Sequence, residues 1–219
     1  MSVDRKTLLL DWASRLEAVA GSAPAKSPLS GGFSDEAGHR RTIDAPLLSW
    51  RRKTPAFPVA VPNETDVALW WAVAGATIDP AQELARVDGP RSAADHGSLL
   101  PMSSAAAIEV WTERELASLH ALWWLVRRSG HAALRERLTT AVSWHIEHIQ
   151  PDNATAHPWA IHVFLAHAIT NAESIHARLY AETQLHNCRV SLGYPDALSV
   201  EILLDAAEAL RNLAADETH

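Results

Sequence analysis

The chain is poor in several of the residues from which binding sites are commonly built. Of its 219 residues one is cysteine, two are methionine, two tyrosine and three phenylalanine. With Cys188 alone there is no internal disulfide and no thiolate zinc site, and a lone helical cysteine reads as a small buried apolar group before it reads as a nucleophile. The nine glycines nowhere form G-x-G-x-x-G, G-x-x-x-x-G-K-[ST] or G-x-S-x-G. Phosphate cradles and the serine-hydrolase elbow therefore find no support. Long apolar runs are also missing. The longest stretch without a charged or strongly polar side chain is Val67 to Thr77, short of the roughly 18 residues needed to span a bilayer. Leu8, Leu9 and Leu10 run straight into Asp11, too short and too acidic for a secretory leader. A soluble, cytoplasmic protein with no membrane partner is expected.

Positive charge is scarce as well. The net charge is −7, and the three lysines, Lys6, Lys26 and Lys53, all fall in the first quarter of the chain. The one cationic cluster is Arg51-Arg52-Lys53, with Arg40-Arg41 nearby. A phosphate-binding face needs more clustered cations than this, so nucleic acid is not an expected partner.

What is present is 47% hydrophobic residues, nine tryptophans and twelve histidines. That composition supports a buried core in a domain with an arm. Residues 1–62 read as an N-terminal helix followed by a Pro/Gly-rich arm that wraps the body, and residues 63–219 as one helical domain. The first helix, over 4–20, carries Leu8, Leu9, Trp12, Leu16 and Val19 at helical spacing and stops at Gly21. Short helices are predicted near 64–75 and 80–87, and a loop over 89–104.

From Trp111 the pattern is clearer. Thr112 and Glu115 match a capping box, with Trp111 and Leu116 at the staple positions, so a helix is predicted to start there and run to about Arg128 before Gly130. Further helices are predicted near 132–150, 158–171, 172–191 and 196–214, with Asp196 as the cap of the last. In the second of these five, Leu134, Leu138, Ala141, Val142, His145 and Ile149 share a face and Glu147 points away. The 158–171 helix has no polar side and should be central. In the 172–191 helix the core-facing side is predicted to be polar, with His176, Leu179, Tyr180, Thr183, His186, Asn187 and Val190 within about 120°. The last helix is predicted to turn Glu201, Asp205 and Glu208 to water.

Seven histidines, at 145, 148, 157, 162, 167, 176 and 186, crowd into three consecutive helices and one loop. A ring with a pKa near neutrality suits proton transfer. Placed on a cavity between the 132–150, 158–171 and 172–191 helices, His145 and His162 would carry protons, Asp152 would orient, and Tyr180 would donate a hydrogen bond. His148, Trp159, His176, His186 and Asn187 would bind ligand. The alternative is that these rings are structural, each paired with a backbone carbonyl or a neighbouring hydroxyl. His145 and His148, three apart, could also share a metal, although neither H-E-x-x-H nor H-x-x-E-H matches. Glu115 lies on an apolar face between Trp111 and Leu119. The capping box accounts for it, with a catalytic role as the alternative. The tryptophans suit wide gaps between helices as well as stacking on sugar rings.

Together these elements describe an all-α fold of antiparallel helical hairpins, a partial toroid or an irregular bundle with an extended N-terminal arm. Over residues 111–214 the alternation of a fully apolar helix with amphipathic ones resembles the α/α-toroid proteins, a group that includes glycosidases, polysaccharide lyases and sugar epimerases. The resemblance is one of architecture and carries over no catalytic residue. The first functional reading is an enzyme or binding protein whose histidine-lined cavity acts by acid–base chemistry on a small polar or sugar-like ligand, with the cofactor left open. Two other readings stand beside it: a non-catalytic helical interaction module, with self-association open, and a histidine-ligated metal site.

Overall fold

The computed structural model describes residues 4–24, 33–34, 40–41, 97–101, 108–149, 156–170 and 175–217. The described part is all-α. It comprises helices α1 (Arg5–Ala20), α2 (Ile108–Ser129), α3 (Ala132–His148), α4 (Ile161–Thr170), α5 (Ile175–Val190) and α6 (Ala197–Asp216). A two-residue antiparallel ladder pairs Phe33 with Arg41 and Ser34 with Arg40. Most of the arm, the helices predicted near 64–75 and 80–87, most of the 89–104 loop, and Asp152 lie outside the described residues. Among those described, no helix is long and apolar enough to cross a membrane.

The chain divides into two compact units, Met1–Ile43 with Ala154–His219, and Asp44–Asn153. In the first, α1 lies along α6, and α4 packs on α5, α1 and α6. Ion pairs fix the direction of the α1/α6 pair: Arg5 meets Glu217 at 3.3 Å and Glu17 meets Arg211 at 2.6 Å, so the two helices are antiparallel. Beyond α5 the chain turns through Gly193 in a left-handed conformation (φ +77°) that costs glycine little. Residues 8–15 of α1 and 175–182 of α5 line one groove, and Arg15 meets Glu182 at the C-terminal end of both segments, so the two helices enter that end from the same side. As predicted, α4 is central: Ile161, His162, Val163, Phe164 and Leu165 are all buried. Asp196 caps α6 as predicted, its Oδ1 accepting the Ser199 amide hydrogen bond at 2.7 Å.

Two face assignments need correction. On α5 the buried stripe is Ala177, Tyr180, Ala181, Gln184, Leu185 and Cys188, while His176, Leu179, His186 and Val190 are exposed. The helix is turned by about one residue, 100°, from the predicted face. Small residues on the true inner face let α5 approach α4 closely enough for Tyr180 to stack on Phe164, with ring centroids 4.3 Å apart. On α6, Asp205 is buried rather than turned to water, among Ile202, Ala206 and Ala209.

The second unit is built on the α2/α3 hairpin, which turns at Gly130 (φ +64°). The predicted α3 face is correct, with Leu134, Leu138, Ala141, Val142, His145 and Ile149 all buried. On α2 the burial of Leu116, Leu119, Leu122 and Leu125 stabilises the unit by about 2 kcal/mol per side chain. The capping box is not formed. Helix α2 already includes Ile108, so Thr112 and Glu115 lie inside it, both fully buried.

Candidate functional site

Glu115 is the centre of a buried polar cluster in the second unit. Its carboxylate sits with no exposure to solvent and takes three hydrogen bonds: the Leu99 amide donates to Oε1 at 2.5 Å, the Leu100 amide donates to Oε2 at 2.7 Å, and Nε2 of the equally buried His145 lies 3.2 Å from Oε1. An ionised carboxylate only accepts, which assigns the proton of that ring nitrogen to Nε2. From the other side, the Arg137 guanidinium donates to the Gly97 carbonyl at 2.9 Å and to the Ser98 carbonyl. The Trp111 indole donates to the Pro101 carbonyl at 3.2 Å. Residues 97–101 are thus clamped to α2 and α3 through both their amides and their carbonyls, by a carboxylate and a guanidinium that are themselves buried. A buried charge is tolerated when its hydrogen-bonding capacity is filled in this way.

Aromatic rings enclose the clamp. Trp111 stacks on His145 with centroids 6.5 Å apart and meets Trp144 edge-on at 6.1 Å, and Trp144 stacks on His148 at 5.1 Å. The Nδ1 atom of His148 lies 3.0 Å from the carbonyl oxygen of Trp144 in its own helix. His145 and His148 therefore belong to one aromatic cluster. His145 is directed at Glu115 inside the unit, while His148 is exposed.

The other sequence-derived site residues lie in the first unit. His162, Tyr180 and Trp159 are buried, and the Trp159 carbonyl accepts a hydrogen bond from Gln184 Nε2 at 2.6 Å. His176 and His186 are exposed on the outer side of α5 and Asn187 is half-buried. Glu182 accepts two hydrogen bonds from Arg15 of α1, one of 2.6 Å. His157, counted among the crowded histidines, is buried, with Nε2 3.2 Å from Asp196 Oδ2. Burial pushes the Asp196 carboxyl up, but the hydrogen bonds from His157 and the Ser199 amide outweigh it and hold it below the usual range. The Cys188 thiol is pushed up to about 12 by burial, so it stays protonated and unreactive at neutral pH. Among the described residues no group of three or more His, Cys, Asp or Glu side chains is arranged to hold a metal ion.

The first unit also carries an open groove of ≈ 530 Å³ between α1 and α5. Leu8, Asp11 and Trp12 line it from α1, Ile175, Arg178 and Leu179 from α5, and the Arg15–Glu182 pair spans it. Arg15 also lies over the Trp12 ring, 4.5 Å from its centroid. Ile175 is 65% exposed and Leu179 52%. Sequence reasoning missed this site because Leu179 had been turned inward with the rest of its predicted face. It missed the clamp because the capping box accounted for Glu115, although the signal was present in a carboxylate placed between Trp111 and Leu119. Arg137 and Gly97 gave no sequence signal.

No protein-family model matches this chain, and no curated protein or solved structure is significantly similar to it.

The buried histidines make stability depend on pH in a definite direction. Burial lowers the pKa of His120, fully enclosed in α2, from 6.5 to about 3, and shifts half-buried His167 the same way. Between those two values the unfolded chain takes up a proton that folded His120 refuses. Stability is therefore complete above pH 6.5 and falls as the pH drops, by up to about 1.4 kcal/mol per pH unit for each such group. Asp196 contributes only at lower pH, since its stabilisation is lost as pH falls through a carboxyl pKa already depressed below 3.8. Urea unfolding across pH 4 to 7 should show this acid slope, and His120→Gln should reduce it by close to one proton. An unchanged slope in the variant would refute the assignment.

Proposed function

We propose that this chain is a non-catalytic helical interaction module whose contact surface is the α1/α5 groove. It takes the apolar face of an amphipathic helix that carries charges of both signs. The observation that carries this reading is the pair Ile175 and Leu179, one turn apart and more than half exposed, beside the half-buried Leu8 and Trp12. Among the described residues, four of the five exposed large hydrophobic side chains, Ile175, Leu179, Val190 and Leu192, lie on α5 or just beyond it. Exposed apolar side chains concentrated on one helix, with charges at the edge, are what helix-in-groove recognition uses. Asp11 and Arg178 supply the charges. Both are exposed, and the groove places them on opposite walls.

This reading is favoured over acid–base chemistry on a small polar or sugar-like ligand by the surroundings of the residues proposed as proton carriers. His145 is enclosed against Glu115, and His162 and Tyr180 are buried in a packed helix pair. His176 and His186 lie on the outer side of α5.

A photo-reactive benzoylphenylalanine placed at position 179 of the full chain and irradiated in cells tests the proposal. It should give a discrete covalent adduct, mapped by mass spectrometry to a helical segment, while the same probe at Arg135, on an exposed part of α3, gives none. Absence of an adduct at 179, or equal adducts at both positions, would overturn it.

A further inference from the structure

We infer that the α1/α5 groove is covered by the same groove of a second copy of this chain, its α1 and α5 helices lying against α5 and α1 about a two-fold axis that runs along the groove. The inference rests on the interaction-module reading and names its partner. The residues that line the groove repeat the same spacing on both walls, at positions i, i+3, i+4 and i+7. Arg15 meets Glu182, 167 residues further on, and every other lining residue of α1 has its counterpart at the same separation on α5. A common rise of about 1.5 Å per residue carries the register of the Arg15–Glu182 contact along both walls. The groove is therefore a ladder of four rungs. In the register set by Arg15 and Glu182, Leu8 pairs with Ile175, Asp11 with Arg178 and Trp12 with Leu179.

A two-fold axis along such a groove brings each wall of one copy against the opposite wall of the other. An isologous contact requires that residue i face residue j while j faces i, and all four rungs satisfy this with matching chemistry. Leu8 comes to face Ile175 and Trp12 to face Leu179, apolar against apolar. Asp11 comes to face Arg178 and Arg15 to face Glu182, acid against base. No rung places like charges or an apolar residue against a charge. Within one copy, Arg15 and Glu182 already satisfy each other, whereas Asp11 and Arg178 have no ion-pair partner among the described residues. The second copy supplies one to each, twice over by symmetry. The exposed Ile175 and Leu179 are covered in the same step.

The charges make the pairing testable by exchange. In sedimentation velocity of the full chain over a micromolar concentration series, the wild type should show a monomer–dimer equilibrium that weakens as salt is raised. Asp11→Arg or Arg178→Asp alone should weaken association at least about tenfold, because each puts like charges on both symmetric rungs. An equimolar mixture of the two single variants should recover association as a heterodimer, and so should the double exchange in one chain. Both positions are exposed, and an unchanged circular dichroism spectrum confirms that each variant is folded. A wild type that stays monomeric, single variants that associate as well as the wild type, or a mixture that fails to recover would each overturn the two-fold. If the chain is monomeric yet the probe at 179 marks a helix of a different protein, the self-pairing fails and the interaction-module reading stands. If it marks nothing, both fail.

Discussion

Glu115→Ala is expected to destabilise the 97–101, α2 and α3 unit by about 3–5 kcal/mol, the range for removing one partner from a buried charged network. The carboxylate satisfies the amides of Leu99 and Leu100 and the ring of His145, and all three would be left facing a cavity. Each orphaned donor costs roughly 1–3 kcal/mol when water cannot reach it. Glutamine should not rescue the variant. It matches the shape but offers one acceptor oxygen where two are used, and its NH2 group would be set against one of the two backbone donors. Glu115→Gln is thus expected to lose more than half of what alanine loses. The specific readout is amide hydrogen exchange at Leu99 and Leu100, which should rise by orders of magnitude in either variant, alongside the urea midpoint. A loss below about 1 kcal/mol, or unchanged protection of those two amides, would show that the carboxylate is not what holds the segment.

The sequence made the helices legible because their signals are local. Helical spacing, Gly130 and Gly193 as stops, and Asp196 as a cap act within one or two turns, and the bounds of α3, α5 and α6 differ from expectation by about three residues or fewer. Burial of α4 was equally clear, since a helix with no polar side has only one stable location. What could not be read was rotation and long-range pairing. On α5 the bulk of Leu179 and Val190 outweighed the small residues Ala177 and Ala181, yet close approach to α4 selects the small ones. Thr112 and Glu115 illustrate the same limit at a helix start. The pattern for a capping box was present, but α2 begins upstream, and the carboxylate was free to bind a segment 15 residues earlier in the chain. The histidines were correctly noticed and incompletely explained, because whether a ring faces a carboxylate, as His145 and His157 do, or water, as His176 and His186 do, is decided by partners far away in sequence.

Gly97 gives the second large effect. A Cβ added there would overlap both Cγ and Cβ of Trp144. Turning the indole cannot relieve this, because the Cβ of Trp144 is fixed to the α3 backbone. Alanine at 97 must therefore push the segment away from α3, and the bonds that hold the segment there are stretched together. These are Arg137 to the carbonyls of Gly97 and Ser98, and Glu115 to the amides of Leu99 and Leu100. Overpacking alone costs about 1–3 kcal/mol, and with the strained clamp the expected loss is at least about 3 kcal/mol. Gly21→Ala is the control: its nearest neighbour is the Glu17 carbonyl at 3.3 Å, its backbone is in the right-handed region, and it should change stability by less than about 1 kcal/mol. The decisive comparison is Gly97→Ala in a Trp144→Ala background. Removing the indole leaves the overlap with the remaining Cβ, so the two penalties should add with little coupling in a double-mutant cycle. Full rescue would mean that only the ring stands in the way, and that glycine is required at 97 by the tryptophan rather than by the closeness of the segment to the α3 backbone.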